Sequence, residues 1–217
     1  TIMKTLLVNA AYKGTIKLNK SSFTKLPTKI GLITTIQFVN QLKEVKSALE
    51  KAGKKVVINK AKQPFAGQVL GCESSSANIP NVDAILYMGT GKFHPINAAL
   101  ETNKPVFTLN PMNGTITKLN QDEIKRIEIK KRSALLKYHS AKNIGILVST
   151  KPGQEDLKSA LKLKEKLKKE KKTAFILIAN NINFQSLEDF PFIKAWVNTA
   201  CPRIIEDFCC LNISELQ

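Results

Sequence analysis

The sequence predicts an α/β protein made of two related Rossmann-like or flavodoxin-like domains, each with a parallel sheet. Three observations carry this expectation. Short apolar runs of strand length alternate with helical patterns, as they do in sheets whose crossovers are helices. The pattern that begins at Ile30-Gly-Leu-Ile-Thr-Thr35 restarts at Ile144-Gly-Ile-Leu-Val-Ser-Thr150, 114 residues later. Glycines, cysteines and polar residues gather in the segments that follow the apolar runs, where open α/β sheets place their chemistry. A chain of 217 residues with 43% hydrophobic content is long enough for two such cores. The expected division is an N-terminal strand and linker at 1–28, one domain at 29–118 and a second at 119–217.

Taken in order, Met3–Val8 reads as an extra strand ahead of the first domain. Ile30–Thr35 is the first strand of that domain. Val39, Leu42, Val45, Leu49 and Ala52 then trace one face of a helix, closed by Gly53. Lys55–Ile58, Ala84–Met88 and Pro105–Leu109 supply three more strands, and a helix is expected after Pro95. Asn120 with Glu123 has the spacing of a capping box at the start of a long helix. Ile124, Ile127, Ala134, Leu135 and Tyr138 form that helix's expected buried stripe. In the second domain Ile144–Thr150 is a strand. Leu157, Ala160, Leu161, Lys164 and Leu167 mark the following helix, and Thr173–Ile178 and Ile193–Val197 are further strands.

Composition narrows the function classes. The net charge of +17 is almost entirely Lys, with Arg only at 126, 132 and 203. The longest charge cluster, Lys162 to Lys172, has helical spacing and reads as a solvated face. Few aromatics lie among the basic residues, so a platform for stacking single-stranded nucleic acid is disfavoured, and no direct nucleic-acid partner is expected. No apolar stretch reaches the length of a membrane span. Met3–Val8 is too short for the apolar region of a signal peptide, which leads to an expected cytoplasmic location. Four scattered cysteines, Cys72, Cys201, Cys209 and Cys210, do not make a disulfide scaffold and read as thiols for metal or redox work.

The loops carry the candidate site. Gln68-Val-Leu-Gly-Cys72 and Thr199-Ala-Cys-Pro-Arg203 each place a thiol beyond a strand. Thr35 with Gln37, the Gly89-Thr-Gly-Lys-Phe-His-Pro95 run and Thr150-Lys-Pro-Gly-Gln154 occupy similar positions. Arg203 beside Cys201 can favour a thiolate or pair with a ligand carboxylate. His94 reads either as a turn residue or as a ligand, and Gln154 either as a helix cap or as a site residue. Gly89-x-Gly91 lacks the third glycine of a dinucleotide fingerprint, and no Cys-x-x-Cys pair supports a zinc ribbon. No nucleophile elbow is present.

These loops, in this order and approximate spacing, resemble the archaeal diphthamide synthase family, the 2-(3-amino-3-carboxypropyl)histidine synthases, in its second and third domains. The likeness runs over almost all of residues 29 to 210. It implies two-thirds of a three-domain architecture with a pseudo-threefold axis, in which each domain gives one cysteine to a 4Fe–4S cluster. It further implies S-adenosylmethionine bound at the cluster's unique iron. Cleavage to a 3-amino-3-carboxypropyl radical would then modify a histidine of translation elongation factor 2, the first step of diphthamide synthesis. Carried over by position, Cys72 and Cys201 become cluster ligands, because thiolates suit iron–sulfur iron. Arg203, Gln154, Gln37 and His94 become candidates for the S-adenosylmethionine pocket.

The family's first domain, and with it a third cysteine, has no counterpart in this sequence. A separate chain or domain is therefore expected to supply it, in a homo- or hetero-oligomer; archaeal members of the family act as homodimers. Cys209 lies about 12 Å along from Cys201 if the segment between is helical, so Cys209 and Cys210 are expected to be core or incidental residues. Two other readings are a non-catalytic supporting subunit or adaptor, and a dehydratase like quinolinate synthase, from which the Thr-Ala-Cys-Pro-Arg motif points away.

Overall fold

The structure, a computed structural model, describes residues 6, 8–204 and 208–216. It divides into two compact units, Thr1–Ile124 and Lys125–Gln217. The expected strand Met3–Val8 lies largely outside the described residues, and Val8 itself is in no strand.

The first unit holds a five-stranded sheet of β1 (Lys29–Thr34), β2 (Lys55–Val57), β3 (Ala84–Met88), β4 (Val106–Leu109) and β5 (Ile116–Lys118). Their order is β2-β1-β3-β4-β5; the first four are parallel and β5 runs antiparallel to β4. Helices α1 (Leu42–Lys51) and α2 (Phe93–Thr102) belong to the same unit. Ile30, Leu32, Leu86, Met88 and Leu109 from the sheet pack with Leu42, Val45 and Leu49 of α1. Burial of each such side chain stabilises by about 1.5–3 kcal/mol. Ile16, Phe23 and Leu26, which precede β1, are buried in the same cluster.

The second unit holds β6 (Asn143–Ser149), β7 (Thr173–Ala179), β8 (Ala195–Asn198) and β9 (Leu211–Asn212), in the order β7-β6-β8-β9 and all parallel. Helix α3 (Gln121–Ser140) leads into it and α4 (Leu157–Lys169) follows β6. Ile144, Ile146, Val148 and Val197 meet Ala160, Leu163 and Leu167 of α4. Behind the sheet, Trp196, Leu147 and Cys210 pack with Phe184, Phe190 and Phe208.

The first strand of each unit is therefore an inner one, and the chain then builds outward on both sides of it. In such a sheet the strand order reverses between β1 and β3, and between β6 and β8. The crevice outside the strands' C-terminal ends at that switch point is where ligands bind.

Several elements differ from expectation. The first helix starts as a tight 3-10 segment, Ile36–Gln41, before becoming α-helical at Leu42. Gly53 follows it at φ 80°, and the Lys54 amide returns to the Leu49 carbonyl at 3.1 Å, which stops the helix as the sequence suggests. Helix α2 starts at Phe93, so His94 and Pro95 lie in its first turn instead of in a preceding loop. Pro is tolerated there because first-turn amides have no intrahelical acceptor. Asn120 does cap α3, accepting the Asp122 amide at 2.9 Å, but Glu123 pairs with Lys92 at 3.1 Å. Leu135 is exposed, as are Leu161 and Lys164, whereas Leu163 is buried. The last strand of the expected set runs over Ala195–Asn198 instead of Ile193–Val197. The short strands β5 and β9 carry too few apolar residues to be read from periodicity.

Candidate metal centre

Cys72 sits on a tight turn whose construction explains its motif residue by residue. Strand β2 ends at Val57, opposite Gly31. Further along, Gln68 takes the place beside β1 that β2 leaves empty. The Thr34 amide donates to the Gly67 carbonyl at 2.8 Å, and the Val69 amide donates to the Thr34 carbonyl at 2.8 Å. Gly67 stands at φ 74°, a conformation that favours glycine. Gln68 is buried, and its side-chain oxygen accepts the Phe65 amide at 3.3 Å. Val69 is fully buried and acts as the anchor. Leu70 and Glu73 then exchange backbone hydrogen bonds of 2.8 and 3.2 Å, leaving Gly71 and Cys72 at the tip. The Cys72 thiol is exposed and in no disulfide.

The turn is held from α2. Asn97 Nδ2 donates to the Gly71 carbonyl at 2.6 Å. A Cβ at position 71 would lie 2.1 Å from Phe93 Cε1, so the ring closes over the glycine. Past the tip, Glu73 accepts the Ser75 amide at 2.9 Å and the Gln63 side-chain amide at 3.2 Å. Burial alone would raise the Glu73 carboxyl, but hydrogen bonds from Ser75 and Gln63, with Lys62 nearby, outweigh it and leave the pKa lowered.

Cys201 is built differently. It follows β8 directly, and Thr199 locks the exit. The Thr199 amide and hydroxyl donate to the Leu147 carbonyl at 3.0 and 2.9 Å. Asn198, 1% exposed, accepts the Ala200 amide at 2.9 Å and donates to the Cys201 carbonyl at 3.0 Å. Its amide also donates to Asn212 Oδ1 at 2.7 Å, and Asn212 reaches the Pro202 carbonyl at 3.4 Å. Cys201 lines a cavity of about 290 Å³ with Gln154, Arg203, Lys151, Ser149 and Asn180. Gln154 is not the cap of α4: Asp156 accepts the Ser159 amide at 3.0 Å and fills that role. The cavity thus joins a thiol, two cationic side chains and several amide groups, which suits a ligand bearing a carboxylate.

The remaining candidates lie in the first unit. Gln37 is exposed within the 3-10 segment, and its carbonyl accepts the Tyr12 amide at 2.7 Å. His94 is half-buried, stacked on Tyr87 at 5.9 Å and edge-on to Phe93 at 5.5 Å. Burial pushes the Tyr87 phenol up to about 12, against a hydrogen bond with the Thr35 side chain. Cys210 is buried and its thiol is pushed to about 12 by burial, then by Cys209 and Glu215. Cys209 Sγ faces the Lys130 carbonyl at 3.9 Å. Both thus behave as structural residues. The segment expected to separate Cys201 from Cys209 as a helix includes 205–207, outside the described residues.

Among the described residues, no three His, Cys, Asp or Glu side chains gather into a group that could hold a metal ion. Each unit offers one free thiol at its strand-end loops. Sequence reasoning passed over Asn97, Asn198 and Tyr87. Asn is a poor helix former, so Asn97 inside an amphipathic helix was the available signal. Asn198, polar at the end of an apolar strand, was another.

The fold and the thiol-bearing loops define a class, parallel α/β proteins with cysteines at strand-end loops. Over residues 7–207 the chain matches the family described as "Putative diphthamide synthesis protein", and it belongs to that family. The 2-(3-amino-3-carboxypropyl)histidine synthase of Pyrococcus horikoshii is 36% identical over 196 residues, 89% of this chain and 56% of that protein. The synthase of the same name from Methanocaldococcus jannaschii is 30% identical over 181 residues, covering 82% of this chain and 46% of that one. The crystal structure of Dph2 from Pyrococcus horikoshii with a 4Fe–4S cluster superposes with a TM-score of 0.76 at 34% identity, covering 90% of this chain and 58% of that one. The chain spans about half the length of the curated relatives it matches. No helix among the described residues is long and apolar enough to cross a membrane.

Proposed function

We propose that this chain supplies Cys72 and Cys201 as ligands to a 4Fe–4S cluster that serves transfer of a 3-amino-3-carboxypropyl group from S-adenosylmethionine to a histidine of translation elongation factor 2. The observation that carries this reading is the pair of rigidly built loops, each ending in a free, accessible thiol at the C-terminal edge of its sheet. The donor chemistry fits: two soft sulfur donors in no disulfide, with Glu73, the carboxylate beside Cys72, already engaged by Ser75 and Gln63. A bound cluster would supply the electron that cleaves the sulfonium. The chain's own residues would hold and orient the substrate. Gln154, Arg203 and Lys151 line the cavity beside Cys201 and offer hydrogen-bond and charge partners for an amino-acid carboxylate. In the first unit, Gln37 and His94 are the candidates for contacts with S-adenosylmethionine.

Two thiolates do not complete a cluster site, so further ligands come from outside these two loops, by continuation of the chain or by association with another. The test is anaerobic reconstitution with iron and sulfide, read by visible absorption and iron content. The chain alone is expected to hold cluster poorly, and a protein supplying the third thiol is expected to raise occupancy. A stable, stoichiometric 4Fe–4S spectrum from the isolated chain carrying both Cys72→Ala and Cys201→Ala would overturn the assignment.

A further inference from the structure

We infer that α2 acts as a clamp on the Cys72 turn, with Asn97 and Phe93 as positioning residues for the thiol. The clamp deepens the proposed function, since it concerns how one proposed cluster ligand is presented. Its physical basis is independent of any bound group. A turn of two tip residues at the surface is held by only two backbone hydrogen bonds of its own, those between Leu70 and Glu73. Exposed turns of this size open readily unless tied to a packed element. Two contacts from α2 provide that tie, and both land on Gly71, the residue before the cysteine.

Asn97 contributes direction. Its side-chain N–H meets the Gly71 carbonyl at 2.6 Å, which fixes the peptide plane that leads into Cys72. Phe93 contributes shape. Gly71 does not occupy the left-handed region that demands glycine, so its backbone alone would accept alanine; only the Phe93 ring, 2.1 Å from where the Cβ would stand, excludes it. Phe93 is itself braced by His94, whose ring stacks on the buried Tyr87. A contiguous series of side chains therefore runs from the core strand β3 through the first turn of α2 to the cysteine turn. His94, also a candidate ligand contact, braces that series through its ring.

The arrangement makes a reciprocal prediction. Gly71→Ala must displace the turn or the Phe93 ring that covers it, and Phe93→Leu must relieve the clash, so the two substitutions together should be milder than Gly71→Ala alone. Asn97→Asp keeps the shape and replaces the donor with an acceptor facing the carbonyl. The loss of one hydrogen bond is expected to raise turn opening about fivefold.

The experiment is amide hydrogen exchange read by NMR at Leu70 and Glu73, whose amides close the turn, on the full chain without cluster. The Thr199 amide, in the other unit, serves as the internal reference. The expected result is exchange about fivefold faster at Leu70 and Glu73 in Gly71→Ala and in Asn97→Asp, with Thr199 unchanged and with Gly71→Ala/Phe93→Leu returned toward the parent rate. If Gly71→Ala does not fold, recovery of folded protein in the double variant supports the clamp and failure to recover overturns it. Unchanged exchange at Leu70 and Glu73 in both Gly71→Ala and Asn97→Asp, or additive effects in the pair, also overturns it. Iron occupancy in Cys72→Ala equal to that of the parent, each reconstituted with a protein supplying the third thiol, would overturn the proposed function and leave the turn measurement standing, so the two failures are distinguishable.

Discussion

The two cysteine loops solve one problem in opposite ways. Cys201 emerges directly from β8, and its loop is ordered from within by Asn198, a nearly inaccessible side chain with three partners. Cys72 lies far from the strand that precedes it, at the tip of an exposed turn, and is ordered from outside by α2. The difference teaches that position in a sheet is not enough to present a ligand. A strand end fixes its next few residues by hydrogen bonding alone, whereas a longer excursion must be tied back by another element. In both cases an asparagine amide donates to a carbonyl at or next to the cysteine, because that group can grip the backbone without adding charge near the thiol.

This contrast can be broken at several points. The largest effect is expected at the thiols themselves. Cys72→Ala and Cys201→Ala should each abolish iron–sulfur absorption in the reconstituted assembly; retention in one variant alone would show that the two loops do not serve one site. A smaller effect separates the two asparagines. Asn198→Ala strands buried groups and should cost about 2–3 kcal/mol, whereas the half-buried Asn97→Ala should cost about 1 kcal/mol. Urea unfolding measures both, and equal losses would remove the distinction between internal and external ordering.

Thiol accessibility comes next. In the folded chain, iodoacetamide should label Cys72 first, Cys201 and Cys209 more slowly, and Cys210 only on unfolding, in line with their exposure. Early labelling of Cys210 would contradict the packing behind β6 and β8.

The smallest effect is alkaline. Tyr87 in the first unit and Cys210 in the second have folded pKa values raised to about 12, from ordinary values of 10.0 and 9.0. Both are neutral below those ordinary values, where their contribution to stability is complete. It is lost as pH rises toward about 12, because the unfolded state releases its proton first. Melting temperature should therefore fall from about pH 9 upward. Tyr87→Phe should flatten the part of that fall above pH 10.0, and an unchanged slope in this variant would mean the phenol is not buried as described.

Much of the architecture was legible because it rests on local periodicity. The Ile-Gly repeat at Ile30 and Ile144 does mark an inner strand of each sheet, and Gly53 does end α1. Leu135 and Leu161 were misplaced because helical spacing identifies a stripe but not its width, which depends on what the helix meets. The two cysteine motifs were visible as motifs, yet the reasons for their residues were not. Gly71 looks like any turn glycine until Phe93 is seen against it, and Gln154 looks like a cap until Asp156 is found in that role.

By itself, then, the sequence determined two parallel α/β units and the loops that carry their thiols, since strand and helix patterns and glycine punctuation are written in neighbouring residues. Only the tertiary structure decided which residues hold those thiols in place. Asn97 meets Gly71 across 26 positions and Thr199 meets Leu147 across 52, and contacts at that separation are set by packing, which no local pattern encodes.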